Sequence, residues 1–321
     1  MQTVKKKTIM PNVDLTCITT DKFKTGYITI NFITPLSKSS AAKNALLFRV
    51  LRRGTLNYPD MESISARLDS LYGAAVETVT RKKGEAQCVG LAADFIDDDF
   101  VPGGENILEN TIALMGEMIL SPATHGGLLT SEYVDSEKVN LIDSIKSLKN
   151  DKINYAVDLM VKSMCQDEAY SVSRLGTENT VAQITPQSLT KHYKELIASS
   201  KVEIIYVGSG SMSRVEMALL NALSALPRRN EVIPAVTDVV LTPKKPGNEV
   251  TDRMDVNQGK LTIGYRLGKS MLSPNYAALM VFNAVFGGAV TSKLFMNVRE
   301  KLSLCYYASS IIEKQIGRAH V

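Results

Sequence analysis

Apolar and polar residues alternate with a period of two at several places in the chain. This alternation is typical of strands that bury one face. It predicts strands at 13–17, 27–32, 75–80, 86–93 and 202–207. The segment Lys82-Lys83-Gly84 separates the third strand from the fourth and predicts a turn between them.

Elsewhere the apolar positions recur every three to four residues, as they do on one face of a helix. This period predicts helices at 39–53, 60–71, 107–120, 132–148, 156–164, 178–184, 186–197 and 214–226. Serine before the first helix and glycine after it are suitable end signals. Strands followed by helices and one late strand favour an α+β fold over repeated βαβ units.

Proline and charged residues cluster at 227–230 and 243–247, which is typical of linkers and turns. We therefore predict a domain boundary near residue 230, with an N-terminal domain at 1–230. A partial second domain follows at 231–315, where the pattern predicts a strand at 260–267 and a helix at 274–286. A length of 321 residues agrees with about two domains.

Composition excludes several classes of protein. Hydrophobic residues make up 45% of the chain and charged residues 22%, which indicates a folded protein. The net charge of +4 is spread out, and we interpret Lys5-Lys6-Lys7 as a solvated arm, so no nucleic-acid partner is expected. No apolar run approaches the roughly 18 residues of a membrane span, and no secretory signal follows Met1. We expect a cytoplasmic protein without a membrane partner.

Cysteine and histidine do not form a recognisable metal motif. The four cysteines lack C-x-x-C spacing and are expected to be free buried thiols. The three histidines are His125, His192 and His320, and no two have metal-ligand spacing. We expect His125 in a loop and His192 on a helix surface.

The segment LLFRVLRRGTLNYP at 46–59 resembles the zinc helix of the insulinase, pitrilysin and mitochondrial-processing-peptidase family of inverted zincins. That helix reads roughly H-F-L-E-H-M-L-F-K-G-T-x-x-Y-P. In the family two histidines bind Zn²⁺ and the glutamate activates its water. The corresponding residues here are Ala45, Phe48 and Arg49. None of them can bind zinc or act as the base.

The family's third zinc ligand is a glutamate on a later helix. The segment 137–146 resembles that helix and places Ser144 at the ligand position and Glu137 at a supporting carboxylate. The resemblance therefore implies that the zinc cofactor and all catalytic residues are lost.

Other segments extend the resemblance over nearly the whole chain. The segment 175–178 is similar to the family's L-G-T-x-E turn. The segment 73–80 is similar to a substrate-holding strand, with Glu77 in place of asparagine. The segment NAVFGGAVTSKLFMNVREKLSLCYY at 283–307 resembles the family's second-domain motif. It implies that Arg299 and Tyr306 bind the substrate backbone. The alternative is local pairing of Arg299 with Glu300 and a half-buried Tyr306.

The resemblance implies two homologous domains, each a mostly antiparallel sheet with helices packed on one face. It also implies a non-catalytic bacterial subunit that forms a heterodimer with a zinc-bearing homologue and contacts a peptide or protein substrate. One alternative is a binding scaffold without proteolysis, since the chain resembles the paired zinc-less members associated with elongation factor P modification. A second alternative is a metallopeptidase with atypical ligands.

The last six residues, 316–321, match the translation of a common sequencing adapter. We therefore expect these residues to be an artefact, and the natural second domain to extend about a hundred residues beyond Gln315, by comparison with the family's usual domain size.

Overall fold

The computed structural model describes residues 3–103, 105–227, 249–267, 274–313 and 318–320. The described residues form two compact units. Of the described residues, the first unit contains 3–82, 86–103, 105–145 and 173–227. The second contains 83–85, 146–172, 249–267, 274–313 and 318–320. The predicted boundary near residue 230 and the predicted linkers, apart from Pro227, lie outside the described residues.

A six-stranded sheet organises the first unit. The strands along this part of the chain are β1 Thr3–Met10, β2 Val13–Thr19, β3 Thr25–Pro35, β4 Ala75–Lys83, β5 Ala86–Ile96, β6 Thr124–His125, β7 Leu128–Leu129 and β8 Lys201–Gly208. The sheet order is β1-β2-β8-β3-β5-β4, while β6 and β7 form a separate hairpin. Strand β8 pairs parallel to β2 and antiparallel to β3, and the pairs β1–β2 and β3–β5 are antiparallel. The α+β prediction with a mainly antiparallel sheet is confirmed.

The helices follow the predicted periodicity closely. They are α1 Ala41–Leu51, α2 Met61–Ser70, α3 Ile107–Leu120, α4 Ser131–Ser147, α5 Lys152–Met164, α6 Glu178–Ala182, α7 Pro186–Ser199 and α8 Met212–Ala222. Side-chain caps explain several starts, because Asp60, Thr177 and Thr185 each accept a hydrogen bond from the backbone N–H three residues later.

The core lies on one face of the sheet. Leu15, Ile30 and Ile204 are fully buried on adjacent strands, whereas Ile205, which points to the opposite face, is 37% exposed. Helices α1, α3, α7 and α8 pack on the sheet. Removal of these apolar side chains from water supplies the main stabilisation of the unit.

The prediction of a solvated arm at Lys5-Lys6-Lys7 is right about solvent exposure and wrong about the arm. These lysines lie in β1, an edge strand paired with β2. Nearly all of the strand is exposed, so its sequence has no apolar alternation to reveal it. The Nζ atom of Lys7 lies 2.6 Å from Glu216. Lysines on an edge strand also hinder pairing with another chain.

The second unit combines α5 with the later part of the chain. It contains β9 Gly264–Arg266, α9 Tyr276–Asn283, β10 Ile311–Glu313 and β11 Arg318–His320, with π-helical segments at Ala284–Gly288 and Phe295–Lys301. The three strands form an antiparallel sheet in the order β10-β11-β9. The predicted strand at 260–267 is observed only at 264–266. A buried ion pair between Arg266 and Glu168 links β9 to the segment after α5.

Within the described residues, the structure contains no helix that is both long enough and apolar enough to span a membrane.

Candidate functional site

Helix α1 carries the three positions that correspond to the family's zinc motif. Ala45 and Phe48 are each only 1% exposed. The Phe48 ring lies 5.4 Å from that of Phe32, centroid to centroid. These two side chains therefore belong to the hydrophobic core and offer no metal ligand or base.

The half-buried Arg49 occupies the third position of the motif. Its two terminal nitrogens, Nη1 and Nη2, each donate to Ser144 Oγ at 3.4 Å. Ser144 is on α4, where its hydroxyl donates to the Asn140 carbonyl at 2.7 Å. The structure thus brings together the residues at the second-histidine position and the distal-glutamate position.

A second arginine lies four residues later in the chain, just after α1 ends. Arg53 Nη1 is 3.4 Å from Glu137 Oε1, and the Arg53 guanidinium lies 5.5 Å from the Tyr133 ring. Glu137 is 8% exposed and also accepts a hydrogen bond from Asn140 Nδ2 at 3.2 Å. The supporting carboxylate of the predicted site therefore pairs with an arginine.

This donor set does not fit zinc. An alanine, a buried phenyl ring, a guanidinium and a serine hydroxyl replace the imidazole and carboxylate groups that zinc requires. A guanidinium is a permanent cation with no acceptor atom, so it repels a metal ion. Among the residues that the structure describes, no group of three or more His, Cys, Asp or Glu side chains could hold a metal.

The G-T-x-x-Y-P segment after α1 has a structural role. A Cβ atom on Gly54 would lie 2.2 Å from the Pro59 carbonyl oxygen, so the turn excludes any larger residue. The Thr55 N–H donates to the Tyr58 carbonyl at 2.6 Å, and the Thr55 hydroxyl donates to Glu117 at 2.7 Å. These bonds fix the end of α1 against α3.

The glycine of the L-G-T motif, Gly176, is also required for a steric reason. Its φ angle is +75°, and an added Cβ would lie 2.6 Å from the Cβ of Ala42. Glycine permits both the left-handed backbone and the close approach to α1. The motif is therefore required for packing.

The expectation that His192 lies on a helix surface is wrong. Its Nε2 is 2.6 Å from Asn44 Oδ1, and burial lowers its pKa to about 4, with a smaller contribution from the charge of Lys43. Asn44 Nδ2 donates to Thr34 and Gln87, so Oδ1 is the acceptor and the neutral ring donates from Nε2. Sequence spacing could not show this network, because Asn44 and His192 are 148 residues apart. His125 is exposed in β6 and not in a loop.

Glu77 is exposed on β4, the edge strand of the sheet. Nearby, Arg52 Nη1 donates to the Val76 carbonyl at 2.9 Å, which holds the last turn of α1 next to β4. An edge strand presents unpaired backbone groups that can bind an extended peptide.

Arg299 and Tyr306 lie in the second unit. Arg299 Nη1 is 3.0 Å from Glu300 Oε1, and the guanidinium lies over the Phe295 ring at 4.5 Å. Tyr306 is 80% exposed and lies outside the helices and strands. The pairing of Arg299 with Glu300 agrees with the alternative of local pairing. The exposed Tyr306 does not agree with it, because that alternative expects a half-buried tyrosine.

Comparison with known proteins identifies the family. The chain is 35% identical over 301 residues to the probable inactive metalloprotease YmfF of Bacillus subtilis, covering 94% of this chain and 70% of that protein. The chain belongs to the peptidase M16 family. A family model described as the peptidase M16 inactive domain matches residues 183–317. The predicted resemblance to the insulinase and processing-peptidase family is confirmed.

Two solved structures share the fold of this chain. A conserved protein from Enterococcus faecalis matches with a TM-score of 0.88 and 29% identity, over 99% of this chain and 74% of that chain. A peptidase M16 inactive domain from Pseudomonas fluorescens matches with a TM-score of 0.72 and 17% identity, over 99% of this chain and 73% of that chain, and supports the fold alone. This chain is an inactive, metalloprotease-like member of the M16 family.

Proposed function

We propose that this chain is the non-catalytic subunit of an M16 pair, in which a homologue with an intact H-x-x-E-H motif supplies zinc and cleaves the peptide. The contact between Arg49 and Ser144 carries the proposal, because the sequence resemblance predicts both residues at zinc-ligand positions and the pair is a cation bonded to a hydroxyl. A site of this kind offers neither a Lewis acid nor a general base. Any proteolysis must then use residues of another chain.

In this proposal the chain contributes chamber walls and substrate-binding groups. Glu77 and the β4 edge offer charge and backbone hydrogen bonds in the first unit. Arg299 and Tyr306 offer guanidinium and phenol donors in the second unit, where Arg299 is half-buried and Tyr306 is exposed. The pair would act on peptides or unfolded protein segments in the bacterial cytoplasm.

A binding scaffold is the second candidate. The exposed edge of β4 favours it, because strand addition to an edge needs no catalytic group. This function would retain the peptide site without cleavage, and the chain would act without a zinc-bearing partner.

Co-expression distinguishes the two functions. The chain is produced with the H-x-x-E-H homologue of its own organism, and the copurified complex is assayed on an unstructured labelled peptide. A catalytic pair should show chelator-sensitive cleavage that neither chain shows alone. A complex that forms without gaining activity, or a homologue that is fully active alone, would reject the proposed role in catalysis.

A further inference from the structure

Arg49 has a half-buried positive charge that no acidic residue in the described part of the chain neutralises. Its described contacts are two hydrogen bonds of 3.4 Å to the neutral Ser144 hydroxyl, and among the described residues no carboxylate forms an ion pair with it. Bonds of this length to a neutral acceptor are weak. A partly desolvated charge in this state is suited to bind an anion.

The carboxylate of Glu137, which lies on the same helix as Ser144, already has hydrogen-bond donors. Glu137 accepts from both Arg53 and Asn140 through Oε1. Arg53 therefore neutralises Glu137, and the charge of Arg49 remains. Arg49 and Ser144 are both half-buried, so that a ligand can reach them from solvent.

The adjacent backbone favours an extended peptide as the ligand. The bond from Arg52 to the Val76 carbonyl places the last turn of α1 beside β4. Strand β4 is the outermost strand of the sheet, and Glu77 on it is exposed. A peptide that pairs with this edge would pass beside the C-terminal end of α1, the helix that carries Arg49.

We infer that Arg49 and Ser144 form a receptor for the C-terminal carboxylate of an extended peptide bound along β4. The planar guanidinium can donate two parallel hydrogen bonds to a carboxylate. The Ser144 hydroxyl can add a third donor by rotating away from the Asn140 carbonyl. The site would thus recognise the free C-terminal carboxylate of a peptide. It uses residues of this chain alone and does not require a zinc-bearing partner.

Fluorescence anisotropy on the full chain tests this assignment with three pools of degenerate, N-terminally labelled octapeptides. The first pool ends in a carboxylate, the second in an amide, and the third in an amide with a fixed internal glutamate. The wild-type chain should bind the first pool about tenfold to a hundredfold more tightly than either of the others, as expected for a charged bidentate contact.

Variants of α1 then locate the receptor. Arg49→Gln should abolish the preference for the carboxylate pool and leave binding of the amide pool unchanged, while Arg49→Lys should retain part of it. Lys43→Gln removes a charge from the same helix and should keep the full preference. Circular dichroism verifies that each variant is folded.

Four results would overturn the assignment. They are equal binding of the carboxylate and amide pools, equally tight binding of the internal-glutamate pool, an equal loss in the Lys43→Gln variant, and no binding of any pool at millimolar protein.

Discussion

Arg49 on α1 and Ser144 on α4 are hydrogen-bonded, with both guanidinium nitrogens 3.4 Å from the serine oxygen. The two residues are 95 positions apart in the chain, and the sequence resemblance predicts that they stand at two of the family's three zinc-ligand positions. A metal bound between these helices would tie them together. Here the hydrogen bonds from the Arg49 guanidinium to the Ser144 hydroxyl, and the Arg53–Glu137 pair just after α1, connect this region to α4.

Restoring the catalytic base should destabilise the protein. Phe48→Glu removes a buried ring from contact with Phe32 and places a carboxylate in an apolar environment. We expect a loss of about 3 kcal/mol or more in the free energy of unfolding of the first unit. Urea unfolding followed by circular dichroism measures it. Glu77→Gln, at an exposed position, is the control and should change stability by less than about 0.5 kcal/mol. A stable Phe48→Glu variant would show that this position is not part of the core.

Restoring the motif helix alone should not restore catalysis. The combined variant Ala45→His, Phe48→Glu and Arg49→His still has Ser144 where the third ligand is needed. We expect substoichiometric zinc and no peptide cleavage. Adding Ser144→Glu should raise the bound zinc, because the structure places residue 144 against residue 49. Chelator-sensitive cleavage by the variant that retains Ser144 would contradict this account.

Lowering the pH should reduce the stability of the first unit, because burial disfavours the charged form of His192. Its pKa is 6.5 in the unfolded reference and about 4 in the fold, so the unfolded chain binds more protons between these values. Stability is therefore full above about pH 6.5 and falls as pH decreases through this window. Between pH 7 and about pH 4.5, the free energy of unfolding of His192→Gln should fall by about 2 to 3 kcal/mol less than that of the wild type. Urea midpoints at both pH values measure this, and parallel losses in the two proteins would disprove the assignment.

The substrate-binding role of Arg299 has its own test. In a complex with an active homologue, Arg299→Ala should lower kcat/KM roughly tenfold to a hundredfold while assembly is unchanged. Tyr306→Phe should cost less, because it removes only the hydroxyl. Glu300→Gln is the matched control: it breaks the 3.0 Å pair with Arg299 but keeps the donor, so activity should persist. Equal losses in Arg299→Ala and Glu300→Gln, or loss of assembly, would assign the pair a structural role.

Much of the first unit could be predicted from its sequence, because most of its helices, α1, α3, α7 and α8 among them, and strands β2 to β5 bury apolar side chains. Strand β1 could not be predicted, since an exposed lysine-rich edge strand has no apolar alternation. The environment of His192 was also inaccessible, because its partner Asn44 lies on a distant helix. The replaced motif residues could be read from the sequence. The sequence could not show that Glu137 pairs with Arg53 and that Arg49 has no carboxylate partner among the described residues, because both facts depend on the position of α4.

The zinc content of the purified chain tests the central claim most directly. The chain is purified without chelators, supplied with zinc, freed of excess metal by gel filtration, and analysed for metal and protein. With Ala45, Phe48, Arg49 and Ser144 at the ligand and base positions, we predict far less than one zinc per molecule and no cleavage of an unstructured peptide. One zinc per molecule together with peptide cleavage that a chelator abolishes would contradict the account.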